Sequence, residues 1–479
     1  PLVVSYIGMK KKEVSIGSRS VINIVLEDAS TTLNEVVAIG YGTVRKKDLT
    51  GSVGTVKGNS LATIPVPNIS EALAGKLSGV HVTTTDGSPD AEVLIRVHGG
   101  GSITGSNTPL YIVDGFPVSS INDISSNDIE DMTVLKDASS TAIYGSRGAN
   151  GVILITTKKA EGGKTRINYN GFVQTKKIAK RLDAMNTYDY VMSNYEYALL
   201  KGSDALKSFE SNFGVYDDLD LYKYVGATNW QDDMFGANVL SQQHNVSISG
   251  GTEKTNFLLS GTYDFNGGLM VNNDFSRYAF QFKLNHQIAK NLKFGLNARV
   301  NDQTVNGSGT QGGTYKIRTS QAITSAATKG LSGFTTVDTS NMSDDEYEQY
   351  IENNMSLSEQ AQRYWKKQNT RGYNFNMSLD WTIIKGLIAH TEVGYGYGFK
   401  EIKDWWGSTT TQASYVGGLP LADWTKTNTR TMREETNLTY NFKVNKDHNF
   451  NVMVGQEVSS GQSDYNYMYA TKYSKAYSA

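Results

Sequence analysis

The chain of 479 residues contains no cysteine and only seven prolines. The absence of cysteine excludes disulfide bonds, zinc–thiolate centres and thiol catalysis. Six of the seven prolines lie at or before Pro117, whereas tyrosine, phenylalanine and tryptophan are concentrated after it. This change in composition predicts two regions of different architecture.

Long hydrophobic runs are also missing. Hydrophobic residues make up 38% of the chain, and no stretch approaches the 18 or so apolar residues that a transmembrane helix needs. A transmembrane β-barrel remains possible, because its strands are short and carry apolar side chains only at alternate positions. The content of glycine (47) and tyrosine (28) favours β structure with a polar interior over the core of an α/β enzyme.

Neither sign of charge is in excess, with 46 Lys and Arg against 47 Asp and Glu, and no block of like charge stands out. The sequence therefore offers no electrostatic surface for nucleic acid. The 6 histidines are scattered without metal-ligand spacing, and no Ser-His-Asp arrangement or carboxylate pair can be identified. We expect no catalysis, no cofactor and no metal site.

The proline-containing region divides into two parts. Residues 1–30 contain short alternating runs typical of the end of a small β domain. From about 48 to 160, a capped helix is predicted from Asn68 to Gly79, and strands are predicted at 93–97, 110–113 and 151–156. This pattern indicates a compact α+β domain.

After about residue 165, apolar residues recur with a period of two to the end of the chain. The predicted strands are 166–175, 242–250, 254–266, 276–288, 291–303, 370–383, 387–400, 431–444 and 449–460. In the long connection before the sixth strand, Ser343 followed by Glu346 predicts a capped helix.

One parity of these strands is apolar and the other is polar. In the third to seventh strands, residues such as Phe280, Tyr373 and Tyr395 occupy the apolar parity, where only Asp302 and Arg371, at strand ends, are charged. The polar parity carries the charges Asp264, Lys283, Lys293, Arg299, Asp380 and Glu392. A shift of register would move such charges into lipid, at up to about 2–4 kcal/mol for each Lys or Arg at the midplane. We therefore expect the apolar face to point outward.

Soluble sandwiches also alternate, so the connections between strands decide between the two architectures. Short connections (251–253, 289–290, 384–386, 445–448) alternate with long or medium ones (176–241, 267–275, 304–369, 401–430). Short turns on one side and long loops on the other are typical of outer-membrane barrels. Such barrels usually have an even number of strands, and roughly 22 are needed to hold a domain, so we expect more than half of the barrel to be missing here.

Several motifs give the sequence a specific resemblance. They are LNEVVAIGYGT (33–43), RKKDLTGSV (45–53), PLYIVDGFP (109–117), DIEDMTVLKDASSTAIYGSRGANGVILITTK (128–158) and QHNVSISGG (243–251). In this order they resemble the linker, the plug domain and an early barrel strand of the SusC/RagA family of TonB-dependent outer-membrane transporters. The GSRGANG run at 145–151 lacks the order of a phosphate-binding loop and predicts a tight turn.

The resemblance implies a β-rich membrane protein, in which an α+β plug domain lies inside an antiparallel transmembrane β-barrel of the cell outer membrane. About 22 strands are expected in the complete barrel and about nine in this chain. The implied domains are the end of a carboxypeptidase-regulatory-like β domain (1–30), a TonB-box-like linker (31–47), the plug (48–160) and the first part of the barrel with long extracellular loops (161–479).

The family also implies partners. TonB, energised through ExbB and ExbD, would contact the linker, and a SusD-like surface lipoprotein would cap the outer loops during import of an oligosaccharide or peptide. The residues implied to contact TonB are Glu35, Val36, Val37, Ala38, Ile39, Gly40, Tyr41 and Gly42. An extended stretch without proline can add as a strand to another protein's sheet. The alternative is an ordinary linker strand docked on the plug.

Two further sets of residues are candidates for function. Arg96 and Arg147 of the plug are predicted to pair with Asp380 or Glu392 of the barrel wall, and solvated, unpaired charges are the alternative. Four tryptophans beside the long loops are candidate sugar contacts, with an interfacial aromatic belt or loop packing as the alternatives. They are Trp365, Trp405, Trp406 and Trp424.

Two other functions compete with transport. A surface adhesin or structural barrel would share the strands, and a secreted carbohydrate-active enzyme would share the alternation and the aromatic residues. The motifs of the plug-like region argue against both, because neither class needs them.

Overall fold

A computed structural model describes residues 2–4, 12–14, 24, 36–39, 42–45, 53–64, 66, 69–84, 88–89, 91, 93–118, 120–121, 124–159, 162–236, 238–307, 321–334, 338–445 and 448–474. The chain divides into two compact units. The first comprises Pro1–Ile64, Ala72–Thr83 and Leu94–Lys158, and the second comprises Pro65–Glu71, Thr84–Val93 and Lys159–Ala479. No helix among the described residues is long and apolar enough to cross a membrane.

Short strands and helices make up the part of the chain before residue 160. The strands are β1 (Leu2–Val4), β2 (Lys12–Val14), β3 (Val36–Ile39), β4 (Gly42–Arg45), β5 (Val53–Lys57), β6 (Val80–Thr84), β7 (Val93–Val97), β8 (Leu110–Val113), β9 (Phe116–Val118), β10 (Ile129–Leu135) and β11 (Val152–Thr157). The helices are α1 (Gly58–Ala62), α2 (Ile69–Ala72), α3 (Ala138–Thr141) and two 3-10 helices, Ser126–Asp128 and Ala142–Gly148.

A five-stranded mixed sheet forms the centre of the first unit, in the order β5-β10-β11-β8-β9. Strand β11 runs parallel to β8, and the other neighbours are antiparallel. Ile112, Leu135, Val152 and Leu154 pack together as an apolar core. The predicted α+β architecture is confirmed, and the predicted strands at 93–97, 110–113 and 151–156 correspond to β7, β8 and β11.

The helix predicted from Asn68 to Gly79 is wrong in length, because only Ile69–Ala72 is helical. Gly75 and Gly79 both have φ of +70°, a left-handed conformation that a continuing right-handed helix cannot contain. The tight turn predicted at 145–151 ends on Gly151, whose φ is +88°. A Cβ atom added to Gly151 would lie 2.9 Å from the Cβ atom of Val97, so this position requires glycine.

The second unit is built on one nine-stranded antiparallel sheet, in which every strand pairs with the next along the chain. Its strands are β12 (Gly163–Lys176), β13 (Val239–Gly251), β14 (Thr255–Gly267), β15 (Asp274–Ala289), β16 (Leu292–Asn306), β17 (Tyr364–Ile384), β18 (Leu387–Trp406), β19 (Leu421–Val444) and β20 (His448–Thr471). All the predicted strands are present in this sheet.

The last four strands extend further than predicted, and they do so at the ends that meet long connections. Strand β17 begins at Tyr364 instead of residue 370, and β19 begins at Leu421 instead of residue 431. The reason is visible in the run from Lys366 to Asn369, which is polar at every position and therefore carries no alternation.

Connections at one end of the sheet are short, and those at the other end carry helices, except the six-residue connection 268–273 between β14 and β15. The helices are α4 (Thr187–Lys201), α5 (Ser203–Phe213), α6 (Trp230–Phe235), α7 (Gln321–Thr324), α8 (Asp344–Asn354), α9 (Leu357–Arg363), α10 (Thr411–Ser414) and two 3-10 helices, Tyr216–Tyr224 and Gly330–Gly333. Helix α8 starts with the predicted capping box, in which Ser343 and Glu346 exchange hydrogen bonds. The predicted asymmetry of the connections is therefore confirmed.

Candidate functional site

The nine-stranded sheet shows the reverse of the burial found in a soluble protein. On the predicted apolar parity, Phe280 is 56% exposed and Met377 is 51% exposed. On the polar parity, Asn245 is 1% exposed and Asp264 is 2% exposed. An exposed apolar face of this extent is unsuited to water and matches the lipid-facing surface of a membrane barrel. We call the two sides of the sheet the apolar face and the polar face.

A buried ion pair lies on the polar face of β14 and β15. Arg277 donates from Nη2 to Asp264 Oδ2 at 2.6 Å and from Nε to the same oxygen at 2.9 Å. Gln243 on β13 donates to the other carboxylate oxygen at 2.5 Å. The two charges are nearly inaccessible to solvent, with side-chain exposures of 2% and 4%, so each depends on the other for compensation.

A second polar cluster joins β12, β13 and β14 to two short segments from earlier in the chain, 65–71 and 84–93, which belong to the same unit. The side-chain oxygen of Asn266 accepts hydrogen bonds from Lys176 Nζ and from Ser241 Oγ, the latter at 3.0 Å. The amide nitrogen of Asn266 donates to the carbonyl oxygen of Pro89 at 3.4 Å. Burial raises the pKa of Glu71, and the positive charge of Lys176 partly offsets this rise. The hydrogen bond to Pro89 attaches segment 84–93 to the polar face, and the charge of Lys176 attracts Glu71 of segment 65–71.

Two of the predicted wall carboxylates are brought together by a histidine that the sequence reasoning did not select. His390 Nδ1 lies 2.7 Å from Asp380 Oδ1, and His390 Nε2 lies 3.7 Å from Glu392 Oε2. The predicted partners Arg96 and Arg147 are exposed residues of the first unit, on β7 and at the end of a 3-10 helix. Their pairing with these carboxylates stays a prediction. The parity that selected the carboxylates could also have selected His390.

An additional charge cluster lies on the polar face of β19 and β20. Arg433 Nη2 donates to Glu435 Oε2 at 2.6 Å and to Glu457 Oε2 at 3.0 Å. All three residues share the polar parity, so alternation of apolar and polar residues could have identified them.

The segment predicted to contact TonB forms one half of a β-hairpin. Strand β3 holds four of its residues, from Val36 to Ile39, and pairs antiparallel with β4, which begins at Gly42. Glu35, Gly40 and Tyr41 lie outside the described residues. Within the described residues this sheet has two strands only, so each strand has one edge without a neighbour.

The four candidate tryptophans divide into two groups. Trp365 and Trp405 lie opposite each other in the register of β17 and β18, and Trp424 donates from Nε1 to Glu401 at 3.0 Å. All three share the parity of the apolar face, beyond its last aliphatic positions. Trp406 has the opposite parity, is 8% exposed and packs against the ring of Tyr364.

The chain is similar in sequence and in structure to known proteins. Residues 45–152 match the model of the TonB-dependent Receptor Plug Domain. The chain is 39% identical to TonB-dependent receptor P26 of Formosa agariphila over 306 residues and 37% identical to TonB-dependent receptor SusC of Bacteroides thetaiotaomicron over 309 residues. The RagAB peptide importer in its open-open state superimposes with a TM-score of 0.71 at 25% identity, covering 92% of this chain and 51% of that chain. The chain belongs to the SusC/RagA family of TonB-dependent receptors.

The matches to these two receptors cover 63% and 62% of this chain and 29% of each receptor, so the chain spans only part of their length. TonB-dependent receptors are outer-membrane β-barrels and are not enzymes, which confirms the predicted location and the absence of catalysis. The fold class predicted from alternation and motifs, a plug domain with an antiparallel barrel sheet, is confirmed as well.

Proposed function

We propose that this chain supplies the plug and nine strands of an importer that takes up a large nutrient across the outer membrane with energy from TonB. The observation that carries the proposal is the combination of a plug domain with a sheet whose apolar face is exposed and whose polar face is buried. A barrel without transport has no use for an occluding plug. The combination therefore favours an importer over an adhesin or a structural barrel.

Strand β3 is the proposed contact for TonB. The edge of β3 that has no neighbour among the described residues can receive a strand of TonB through main-chain hydrogen bonds, which make few demands on the side chains. TonB, energised through ExbB and ExbD, then pulls on this segment and rearranges the plug, so that a bound segment passes from order to disorder. The hairpin with β4 opposes this pull until TonB is engaged.

The imported substrate is proposed to be an oligosaccharide or a peptide, and a SusD-like lipoprotein is proposed to close the outer end. One relative bears the name SusC, and the solved relative is named a peptide importer. The helix-bearing connections at 177–238 and 307–363 lie at one end of the sheet and provide the surface that such a lid needs.

Release of the plug requires contacts that are stable at rest and can be broken by force. The hydrogen bond from Asn266 to Pro89 and the Glu71–Lys176 pair have this character, since both are only partly buried. We also retain the pairing of Arg96 and Arg147 with Asp380 and Glu392 as a proposal. In that arrangement the arginines compete with His390 for the carboxylates.

Three of the tryptophans are proposed to serve at the membrane interface. Trp365, Trp405 and Trp424 lie on the parity that faces lipid, six to eight residues beyond its aliphatic part on the side of the long connections. Amphipathic rings are favoured at the membrane–water interface. Contact of these residues with a substrate stays a prediction that needs the substrate to reach the outer surface of the barrel.

Two adjacent proline substitutions test the role of β3. Neighbouring backbone N–H groups in a strand point to opposite edges, so V37P and A38P remove donors from different edges of β3. We expect the substitution on the free edge to abolish energy-dependent uptake by the complete protein and to leave the hairpin and substrate binding intact. Deletion of residues 35–42 should give the same loss of uptake.

The controls separate this function from its competitor. A T43P change in β4 has the same backbone chemistry outside the proposed contact and should reduce uptake less than the free-edge substitution in β3. If the deletion of 35–42 left uptake unchanged, the TonB contact would be refuted. If substrate bound but never accumulated in energised cells of the wild type, the adhesin would be the better description.

A further inference from the structure

A charged patch begins on the apolar face where its aliphatic and aromatic part ends. On β16 to β19 the last such residues are Val300, Tyr373, Phe399 and Met432. The next residues of the same parity on these strands are charged, and more basic residues follow towards the long connections. We call this set the rim patch. Its members are Asp302, Lys367, Arg371, Glu401, Lys403, Lys426 and Arg430.

The rim patch has five basic side chains and two carboxylates, and the carboxylates are already engaged. Arg371 Nε donates to Asp302 Oδ2 at 3.0 Å, and Lys403 Nζ lies 3.7 Å from Glu401 Oε2. No carboxylate of the described residues lies within 4.0 Å of the charged groups of the other three basic residues. These are Lys367, Lys426 and Arg430. The patch therefore has an excess of positive charge, with Glu401 opposite Lys426 in the register and Asp464 of β20 on the same face.

The register places two of these cations directly opposite each other. Lys367 on β17 pairs with Lys403 on β18, and Cβ atoms in such a pair are about 4.5–5.5 Å apart. Like charges in directly opposed positions destabilise a sheet. An anion bound between the two ammonium groups would convert this repulsion into attraction.

Aromatic rings hold two of the ammonium groups at the surface. Lys403 Nζ lies 5.5 Å from the ring centre of Trp424, and Lys426 Nζ lies 5.2 Å from that of Phe399. The rings contribute cation–π attraction on one side of each ammonium group, and its remaining N–H donors stay available. The cations therefore lie at the boundary between the apolar surface and water.

We propose that the rim patch binds the phosphate group of an anionic lipid in the outer leaflet of the membrane. The apolar face directly beside the patch accepts acyl chains, and the opposed lysines accept the phosphate. A lipid complements both surfaces at once, whereas a free anion uses only the cations. Polar and aromatic residues at this level, including Trp365 and Trp405, are typical of the membrane–water interface.

The test compares binding of a phosphorylated lipid A and of the same lipid A after removal of its phosphates, by native mass spectrometry of the complete protein in detergent. The variant is K367Q/K403Q/K426Q. The matched control is K254Q/K290Q/K385Q, which removes three exposed lysines from the short connections at the opposite end of the sheet. Each cation near an anionic surface contributes about 1 kcal/mol, so loss of three predicts weakening on the order of a hundredfold.

The expected result is weakened binding of the phosphorylated lipid by the rim variant alone, with the dephosphorylated lipid bound equally weakly by all three proteins. Equal affinity of wild type and rim variant would overturn the proposal, as would an equal loss in the control. Displacement of the lipid by inorganic phosphate at low millimolar concentration would indicate a free-anion site and overturn the lipid assignment. If the triple variant does not fold, the affinities of the two lipids are compared for wild-type protein and K367Q. Weaker binding of the phosphorylated lipid by K367Q would support the proposal, and equal binding would overturn it.

Discussion

Replacement of Met377 by lysine tests directly which side of the sheet faces lipid. Met377 is 51% exposed on the apolar face, with Phe375 and Leu379 next to it on the same face of β17. It is at the middle of the apolar stretch of that strand, which runs from Tyr373 to Trp381. A lysine there is therefore placed near the midplane of the bilayer.

The expected loss of folding free energy follows from the depth of residue 377 in the bilayer. Lysine at the midplane of a transmembrane barrel destabilises by about 2–4 kcal/mol, and the value falls to about 0–1 kcal/mol near the interfaces. The matched control is Ser378→Lys, one residue along the strand, where the side chain projects to the polar face opposite Glu392. A carboxylate directly opposite should keep the cost of this substitution below about 1 kcal/mol.

The assay is urea-induced unfolding of the complete protein folded into lipid vesicles, supported by the temperature at which its folded form is lost on gels. M377K should unfold at clearly lower urea concentration than wild type, and S378K should stay close to wild type. A Met377→Leu variant controls for loss of the methionine itself. If M377K were as stable as S378K, the assignment of the two faces would be refuted.

Three other substitutions test local features. Arg277→Met leaves Asp264 buried without its partner and should cost about 3–5 kcal/mol in the same unfolding assay, whereas adding Asp264→Asn should recover much of this loss. Ser343→Ala should weaken helix α8 and speed the exchange of its amide hydrogens. In the wild type, the hydrogen bonds from Ser343 lower the pKa of Glu346. The stabilisation of the helix by this capping box should therefore be complete above the ordinary carboxyl pKa and be lost as pH falls through the lowered pKa. Gly151→Ala should lower the thermal midpoint of the plug, because the new side chain would have a φ of +88° and would clash with Val97 of β7. An unchanged thermal midpoint would refute the requirement for glycine at this position.

Strict alternation made most of the large sheet predictable. In each strand from β14 to β18, one set of alternate positions is apolar and the other carries polar groups. This pattern predicts both where the strands lie and which side of each strand is apolar. The two charged residues on the apolar parity, Asp302 and Arg371, form an ion pair with each other at the edge of the apolar surface. Their position therefore marks where the apolar surface ends.

Other parts were not predictable, because their causes are nonlocal. Strands β5 and β10 of the first unit were not predicted, since Val53–Lys57 is short and contains a glycine, and Ile129–Leu135 has two acidic residues directly after its first residue. Both become strands by pairing with each other across most of the domain. His390 was not predicted as a site residue, because a single histidine does not form a motif with characteristic spacing. Only the folded sheet shows that it lies between Asp380 and Glu392.

The candidate site was predictable in outline only. Motifs located β3, but its pairing with β4 could not be inferred from a stretch that lacks the usual turn residues Asn-Gly or Asp-Gly. The tryptophans were selected as a group, and the structure separates Trp406 from the other three by parity. The cluster around Asn266 was not predicted, because its partners Lys176, Ser241 and Pro89 come from three different segments.

The length of the last strands determines what a solute meets first. Strand β20 has 24 residues, which at about 3.3 Å per residue is about 79 Å, and a tilt of about 45° still leaves about 55 Å along the membrane normal. The hydrocarbon layer takes up only about 30 Å of this. Ladder hydrogen bonds therefore continue well into the aqueous phase, where they fix the backbone positions. An arriving molecule therefore meets ordered sheet well before it reaches the depth of the acyl chains.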